Sequence, residues 1–118
     1  VRFLGIRMDV PSLLKAADIV IMSSHLEGLS LSNIEGMSVG KPFIASDVDG
    51  LREVTKNYGI LFPHQDAEAL AKAITELMRN SELYDSTAAR CKERALQFDI
   101  SVMAKKYNDR YCRLLKLK

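Results

Sequence analysis

The 118-residue chain lacks an excess of either charge: 17 basic side chains meet 15 acidic ones for a net charge of +2. That balance gives no electrostatic footprint for nucleic acid or for a membrane surface. It lacks a disulfide framework as well. Its two cysteines, Cys91 and Cys112, fall in predicted helices without metal-ligand spacing, and a domain of this size does not depend on disulfides. Both are expected to be reduced structural thiols. No apolar run is long enough to cross a bilayer. The first residues form no basic-plus-apolar leader and include no initial methionine, so the expectation is a soluble piece of a longer chain. Repeats and low-complexity segments are missing too. What is there, 47% hydrophobic and 27% charged residues, is the composition of one globular domain with a core of its own.

Periodicity and turn residues predict the elements. Arg2 to Leu4 reads as a short strand ending at Gly5, and Asp9 with Pro11 marks the start of a helix from Val10 to Ala17. The continuous apolar stretch Asp18 to Ser23 reads as a strand covered on both faces. A helix from Leu31 to Val39 ends at Gly40, followed by a strand Pro42 to Ala45, a short helix Leu51 to Thr55 and a strand Gly59 to Phe62, which Pro63 stops. Asp66 caps a helix reaching Arg79 that bears Ala67, Leu70, Ala71, Ile74, Leu77 and Met78 on one stripe. Helices Ser81 to Leu96 and Ser101 to Leu115 make a C-terminal helical tail, the last carrying Val102, Met103, Tyr107, Tyr111 and Leu114 at helical spacing. The order β-α-β-α-β-α-β implies an α/β fold, a Rossmann-like doubly wound parallel sheet with right-handed crossovers. Ligands of such sheets bind beyond the carboxyl ends of the strands, where Gly5 to Arg7, Ser23 to Ser30 and Ser46 to Gly50 would project.

Glu27 and Glu35 stand at this edge, with seven residues between them, where a strand passes through a loop into a helix. The first turn of a helix near Leu31 leaves N–H groups without intrahelical partners and favours a phosphate oxygen. Gly28 permits close approach, and a carboxylate suits the vicinal hydroxyls of a sugar. On residues alone each feature has a plainer reading. Glu35, three residues after Ser32, fits a capping box, and Glu27 fits a solvated loop acid. Ser23, Ser24 and Ser30 fit turns and caps. His25 and His64 have no partner in sequence and read as exposed, Lys41 as a surface charge, and Glu53 as capping or solvating its helix. Asp47, Asp49 and Arg52 divide evenly between loop charges and ligand contacts.

The longer string decides between them. Glu27-Gly-Leu-Ser-Leu-Ser-Asn-Ile-Glu35 is followed by Gly-Met-Ser-Val-Gly-Lys-Pro-Phe-Ile-Ala-Ser46, by Gly50-Leu-Arg-Glu53 and by Tyr58-Gly-Ile-Leu-Phe-Pro63. In this it resembles the retaining glycosyltransferases of group 1, or family 4, with the two-domain GT-B fold. Phe3-Leu-Gly5, Leu14-Lys-Ala-Ala-Asp18 and Asp66-Ala-Glu-Ala-Leu-Ala71 extend the resemblance over most of the chain.

The resemblance implies that residues 1–118 are the later part of a nucleotide-sugar-binding domain, whose parent transfers a hexosyl unit to a saccharide or lipid-linked acceptor. The acceptor-binding N-terminal domain and a basic pair that grips the diphosphate would lie before Val1. Carried over by position, Glu27 faces the transferred sugar as the catalytic carboxylate and Glu35 holds the ribose hydroxyls. The amides of Gly28, Leu29, Ser30, Leu31 and Ser32 meet sugar and diphosphate, and Gly5, Ile6 and Arg7 lie at the base. Many relatives have Gly or Pro at the position of Ser30. The implied mechanism is front-face attack without a covalent intermediate and without a cofactor or metal, and the reading is that no Asp-x-Asp metal motif occurs. The implied setting is the cytoplasm, with membrane contact only through the N-terminal half. A non-catalytic nucleotide-sugar-binding or scaffold module is the alternative. A receiver-like signalling domain fits the alternation of elements but lacks paired acids after Leu4 and an Asp ending the strand from Pro42.

Overall fold

A computed structural model describes residues 1–115. The elements are α1 (Val10–Ala16), β1 (Val20–Met22), α2 (Leu31–Ser38), β2 (Phe43–Ser46), α3 (Asp49–Thr55), β3 (Ile60–Phe62), α4 (Ala67–Arg79), α5 (Ser81–Leu96) and α6 (Ile100–Leu114). The three strands form a parallel sheet in the order β1-β2-β3, with Val20 opposite Phe43 and Ala45 opposite Leu61.

Successive side chains of β2 leave opposite faces of the sheet. Phe43 and Ala45 join Val20, Met37, Leu51, Val54, Cys91 and Ala95 in one cluster, which places α2, α3 and the end of α5 on that face. Ile44 joins Phe62, Ala73 and Leu77 under α4 on the other. Two crossovers stepping the same way across a sheet fall on one face when both are right-handed, which accounts for α2 and α3 lying together. Gly36 lets α2 approach closely, since a Cβ there would stand 2.6 Å from the Phe43 ring. Gly40, at φ +72°, ends the helix.

α5 passes from one face to the other beneath the amino ends of the strands. Near its start Tyr84 Oη donates to the carbonyl of Asp18, just before β1, at 2.7 Å. Further on, Cys91 Sγ lies 3.6 Å from the carbonyl of Tyr58, just before β3. Burial pushes the Cys91 thiol pKa up. Arg94 donates to the carbonyls of Val54 (3.1 Å) and Glu53 (3.0 Å) near the end of α3, while its guanidinium lies over the rings of Tyr58 and Phe98.

Three expectations are corrected. Arg2 to Leu4 forms no strand, so the described sheet has three strands rather than four; residues 1–9 are exposed and pair with no strand. β1 is not covered on both faces, because it is an edge and α4 covers β2 and β3, leaving Ile21 40% exposed. The buried line of α4 is Ala73 and Leu77, flanked by Ala69, Leu70 and Ile74; Ala67, Ala71 and Met78 face solvent, with Met78 76% exposed. The apolar stripe of α6 buries no residue, and Tyr107 and Tyr111 stack on each other in the open. That projecting helix and the extended first residues give a radius of gyration of 16.5 Å, against about 13.5 Å for a compact chain of this length.

Candidate functional site

The loops after β1, β2 and β3 meet at the carboxyl end of the sheet. Ser46, the last residue of β2, donates through Oγ to the carbonyl of Ser24 at 2.6 Å. Ser24 Oγ in turn donates to Glu27 Oε1 at 2.9 Å. Glu27 is therefore held by a relay that starts on the central strand. The sequence does not show this role because the Ser46–Ser24 contact joins two strand ends 22 residues apart, although the Ser24–Glu27 bond lies within one loop; the one signal was a hydroxyl ending an otherwise apolar strand.

The backbone next to Glu27 is fixed from the other side. A Cβ at Gly50 would stand 1.9 Å from the Gly28 carbonyl oxygen and 2.3 Å from that of Glu27, so the start of α3 abuts the Glu27-Gly28 peptides with no room for a side chain. At Gly28 itself an added Cβ would meet nothing within 4 Å. The loop is thus packed on its Gly50 side and open at Gly28.

Helix α2 is capped by Ser30 rather than Ser32. Ser30 is in an extended conformation and its Oγ accepts from the amide of Asn33; the same hydroxyl lies 3.9 Å from Met22 Sδ. With the cap at Ser30, Glu35 falls outside the capping box. It sits exposed in the second turn, and its carboxylate takes no part in a hydrogen bond or ion pair among the described residues. The amides of Leu31 and Ser32 are likewise without a partner among the described residues.

Beneath this turn Asn33, fully buried, reaches Thr55 Oγ1 at 3.2 Å and the carbonyl of Leu51 at 3.5 Å. Asn33 and Thr55 tie the start of α2 to α3, and sequence reasoning did not single them out. Of the other positions, Gly28, Leu29, Leu31 and Ser32 are exposed at the mouth, while Ser30 is buried and occupied by its cap. His25 is not alone: its Nδ1 lies 2.7 Å from Nε2 of His64, a contact across 39 residues.

The remaining charged candidates are spent on each other. Asp47-Val48-Asp49 does have Asp-x-Asp spacing, contrary to the reading that set such a motif aside. Arg52 takes both carboxylates, with Nε donating to Asp47 at 2.5 Å and Nη1 to Asp49 at 2.8 Å. These bonds, chiefly that to Asp47, raise the arginine's pKa above its usual value. Among the described residues, no group of three or more His, Cys, Asp or Glu is placed to hold a metal. Gly5, Ile6 and Arg7 make no hydrogen bond to the crevice loops. Gly5 is at φ +65°, Ile6 is fully exposed, and Arg7 is turned back onto Asp9 in a bidentate pair of 2.7 and 2.6 Å. That pair holds the Asp9 carboxyl below the usual range.

A pocket of about 170 Å³ lies under the two histidines, lined by Ser23, Ser46, Phe62, Gln65, Ala67 and Leu70 as well. A larger hollow of about 720 Å³ runs between α4 and α5, away from the strand ends, along Lys72, Glu76, Arg79 and Leu83. The paired carboxylates belong to the carboxyl end; the larger hollow has the single carboxylate of Glu76, which faces Lys72 at 4.0 Å, and the start of α5 that borders it is capped by Asn80. No described helix is long and apolar enough to cross a membrane.

The family model described as "Glycosyl transferases group 1" matches residues 1–98. The chain is 31% identical over 118 residues to the N,N'-diacetylbacillosaminyl-diphospho-undecaprenol alpha-1,3-N-acetylgalactosaminyltransferase of Campylobacter jejuni, covering 98% of this chain and 31% of the relative. It is 29% identical to the Escherichia coli UDP-Gal:alpha-D-GlcNAc-diphosphoundecaprenol alpha-1,3-galactosyltransferase, covering 92% and 28%. Among solved structures it is similar to Anabaena Alr3699/HepE in complex with UDP, with a TM-score of 0.89 at 26% identity over 96% of this chain and 32% of that one. The chain thus spans under a third of the length of these relatives.

Proposed function

Since the chain belongs to the glycosyl transferases group 1 family, we propose that it is the donor-binding part of a retaining, family 4 glycosyltransferase, passing a hexosyl unit from a nucleotide-sugar to a saccharide or lipid-linked acceptor. The observation that carries this reading is the arrangement of Glu27 and Glu35 around the open start of α2, one carboxylate oriented by Ser24 and the other without a partner among the described residues. Two relatives named for diphosphoundecaprenol acceptors support the lipid-linked choice, and the UDP in a similar structure supports UDP as the donor base.

In this reading the amides of Leu31 and Ser32 and the α2 dipole take the diphosphate, where negative charge grows as the glycosidic bond to phosphate breaks. Glu27 faces the oxocarbenium-like sugar and stabilises its positive charge, and Glu35 accepts from the ribose hydroxyls. No metal is assigned to the transfer, which is set in the cytoplasm. Transfer itself is assigned to the longer protein and donor binding to this chain.

The test is an amide-resolved titration of the chain with UDP, GDP and ADP. UDP is expected to shift the amides of residues 27–36 more than the other two nucleotides. An absence of shifts there, with shifts elsewhere, would overturn the assignment of the crevice.

A further inference from the structure

We propose that His25 and His64 form a site for a divalent transition-metal ion, a two-imidazole clip that joins the loop after β1 to the loop after β3, outside the transfer reaction. The inference rests on the geometry of this pair and not on the sugar-transfer reading. Nδ1 of His25 and Nε2 of His64 converge to 2.7 Å with their rings nearly perpendicular at 87°. Without an ion the two nitrogens share one proton, and an exposed hydrogen bond of this kind competes with water and contributes little. An ion replaces that proton. Two imidazole nitrogens at about 2.0–2.1 Å from a tetrahedral zinc stand about 3.3 Å apart, so the pair needs to open by roughly 0.6 Å. Both side chains are on exposed loop positions and free to do so.

Nitrogen donors select the ion. Imidazole suits Zn²⁺, Ni²⁺ and Cu²⁺, whereas Mg²⁺ and Ca²⁺ require oxygen ligands. No further His, Cys, Asp or Glu completes the cluster among the described residues, so the other coordination positions belong to water and the site is open and reversible. β2 lies between β1 and β3, and the histidines arch over its end, with Ser46 and Phe62 lining the pocket below. A bound ion would roof that pocket and fix the loop two residues before Glu27.

The experiment titrates Zn²⁺, with Mg²⁺ as control, into the chain carrying Cys112→Ser, which removes the one partly accessible thiol. It also uses His25→Ala and His64→Ala made in that background. Heat of binding and amide shifts are recorded together. The expected result is one equivalent of Zn²⁺ bound, shifts in residues 23–27 and 63–66, no response to Mg²⁺, and loss of affinity by at least about tenfold in each single histidine variant, equal to about 1.4 kcal/mol. Zinc binding that survives either substitution, or no binding at all, would overturn the proposal. Unchanged amide positions in α4 and α5 show that the variants remain folded.

Discussion

The two ends of the sheet are built on opposite plans. At the amino end α5 crosses beneath the strands, and its polar groups are spent on the backbone they cover: Tyr84 on Asp18, Cys91 on Tyr58, Arg94 on the end of α3. At the carboxyl end the hydrogen bonds run among loops. They hold Glu27 and cap α2, and they leave Glu35 and the first amides of the helix free among the described residues. One end uses polarity to close the fold and the other uses it to position groups that have no structural partner. The same residue type therefore has different consequences at the two ends.

Glycine makes the sharpest comparison. A Cβ at Gly59, at the amino end, would stand 2.6 Å from the Phe43 carbonyl oxygen and 2.9 Å from Thr55 Cγ2; one at Gly50 would meet the Gly28 carbonyl oxygen at 1.9 Å. The nearest atom in each case is a backbone carbonyl oxygen, so the backbone must move, and each alanine is expected to cost about 3 kcal/mol, read from urea unfolding. The two should part company in UDP titration. Gly59→Ala leaves the affinity of the folded fraction unchanged, whereas Gly50→Ala displaces Glu27 and Gly28 and weakens binding. Equal loss of affinity in both would erase the distinction between the ends.

The next effect in size comes from the joint between α2 and α3. Thr55→Val keeps the shape and removes the hydroxyl that meets the buried Asn33 amide at 3.2 Å. Leaving that amide underserved costs about 2 kcal/mol, measured as a fall in the urea midpoint with unchanged slope. Asn33→Leu made together with Thr55→Val should recover part of the loss, because replacing both partners avoids the orphaned polar group.

Much of this division was legible in the sequence. The limits of α5 match the expected Ser81 to Leu96, Asp66 caps α4 as expected, and the Glu27 to Glu35 string located the carboxyl end. What was not legible depended on distance or on register. Arg2 to Leu4 has the apolar content of a strand, but a strand exists only by pairing, and none of the described strands is its neighbour. Ser30 and Ser32 are the same residue type two positions apart; only the extended backbone of Ser30 made it the cap, and that moved Glu35 from a structural role to an unpartnered one. The meetings of His25 with His64 and of Ser46 with Ser24 span 39 and 22 residues, beyond any local pattern. The covered stripe of α4 shifted because β1, at the sheet edge, lies outside its reach.

Ser30→Ala tests the cap directly. Removing the Oγ that accepts from Asn33 should cost about 1 kcal/mol, seen as a lower thermal midpoint. It should also weaken UDP binding by fraying the turn that presents the Leu31 and Ser32 amides. Ser32→Ala, by contrast, should leave stability unchanged; a loss there equal to that of Ser30→Ala would return the cap to Ser32 and Glu35 to a capping box.

The smallest expected change in stability carries the most about function. Glu35→Gln removes a charge that takes no part in a described interaction, so unfolding should move by no more than about 0.5 kcal/mol. Glu27→Gln should be almost as mild, since the amide oxygen still accepts from Ser24 Oγ. Their effects on ligand should diverge. A carboxylate that receives two ribose hydroxyls loses charge-assisted bonds on becoming an amide, so Glu35→Gln should weaken UDP binding by about tenfold, or about 1.4 kcal/mol. Glu27, assigned to the sugar rather than the nucleotide, should leave UDP binding intact and lower turnover in the longer enzyme. If both variants kept wild-type donor affinity and turnover, the two carboxylates at the carboxyl end would be surface charges. The two ends of the sheet would then differ in packing alone.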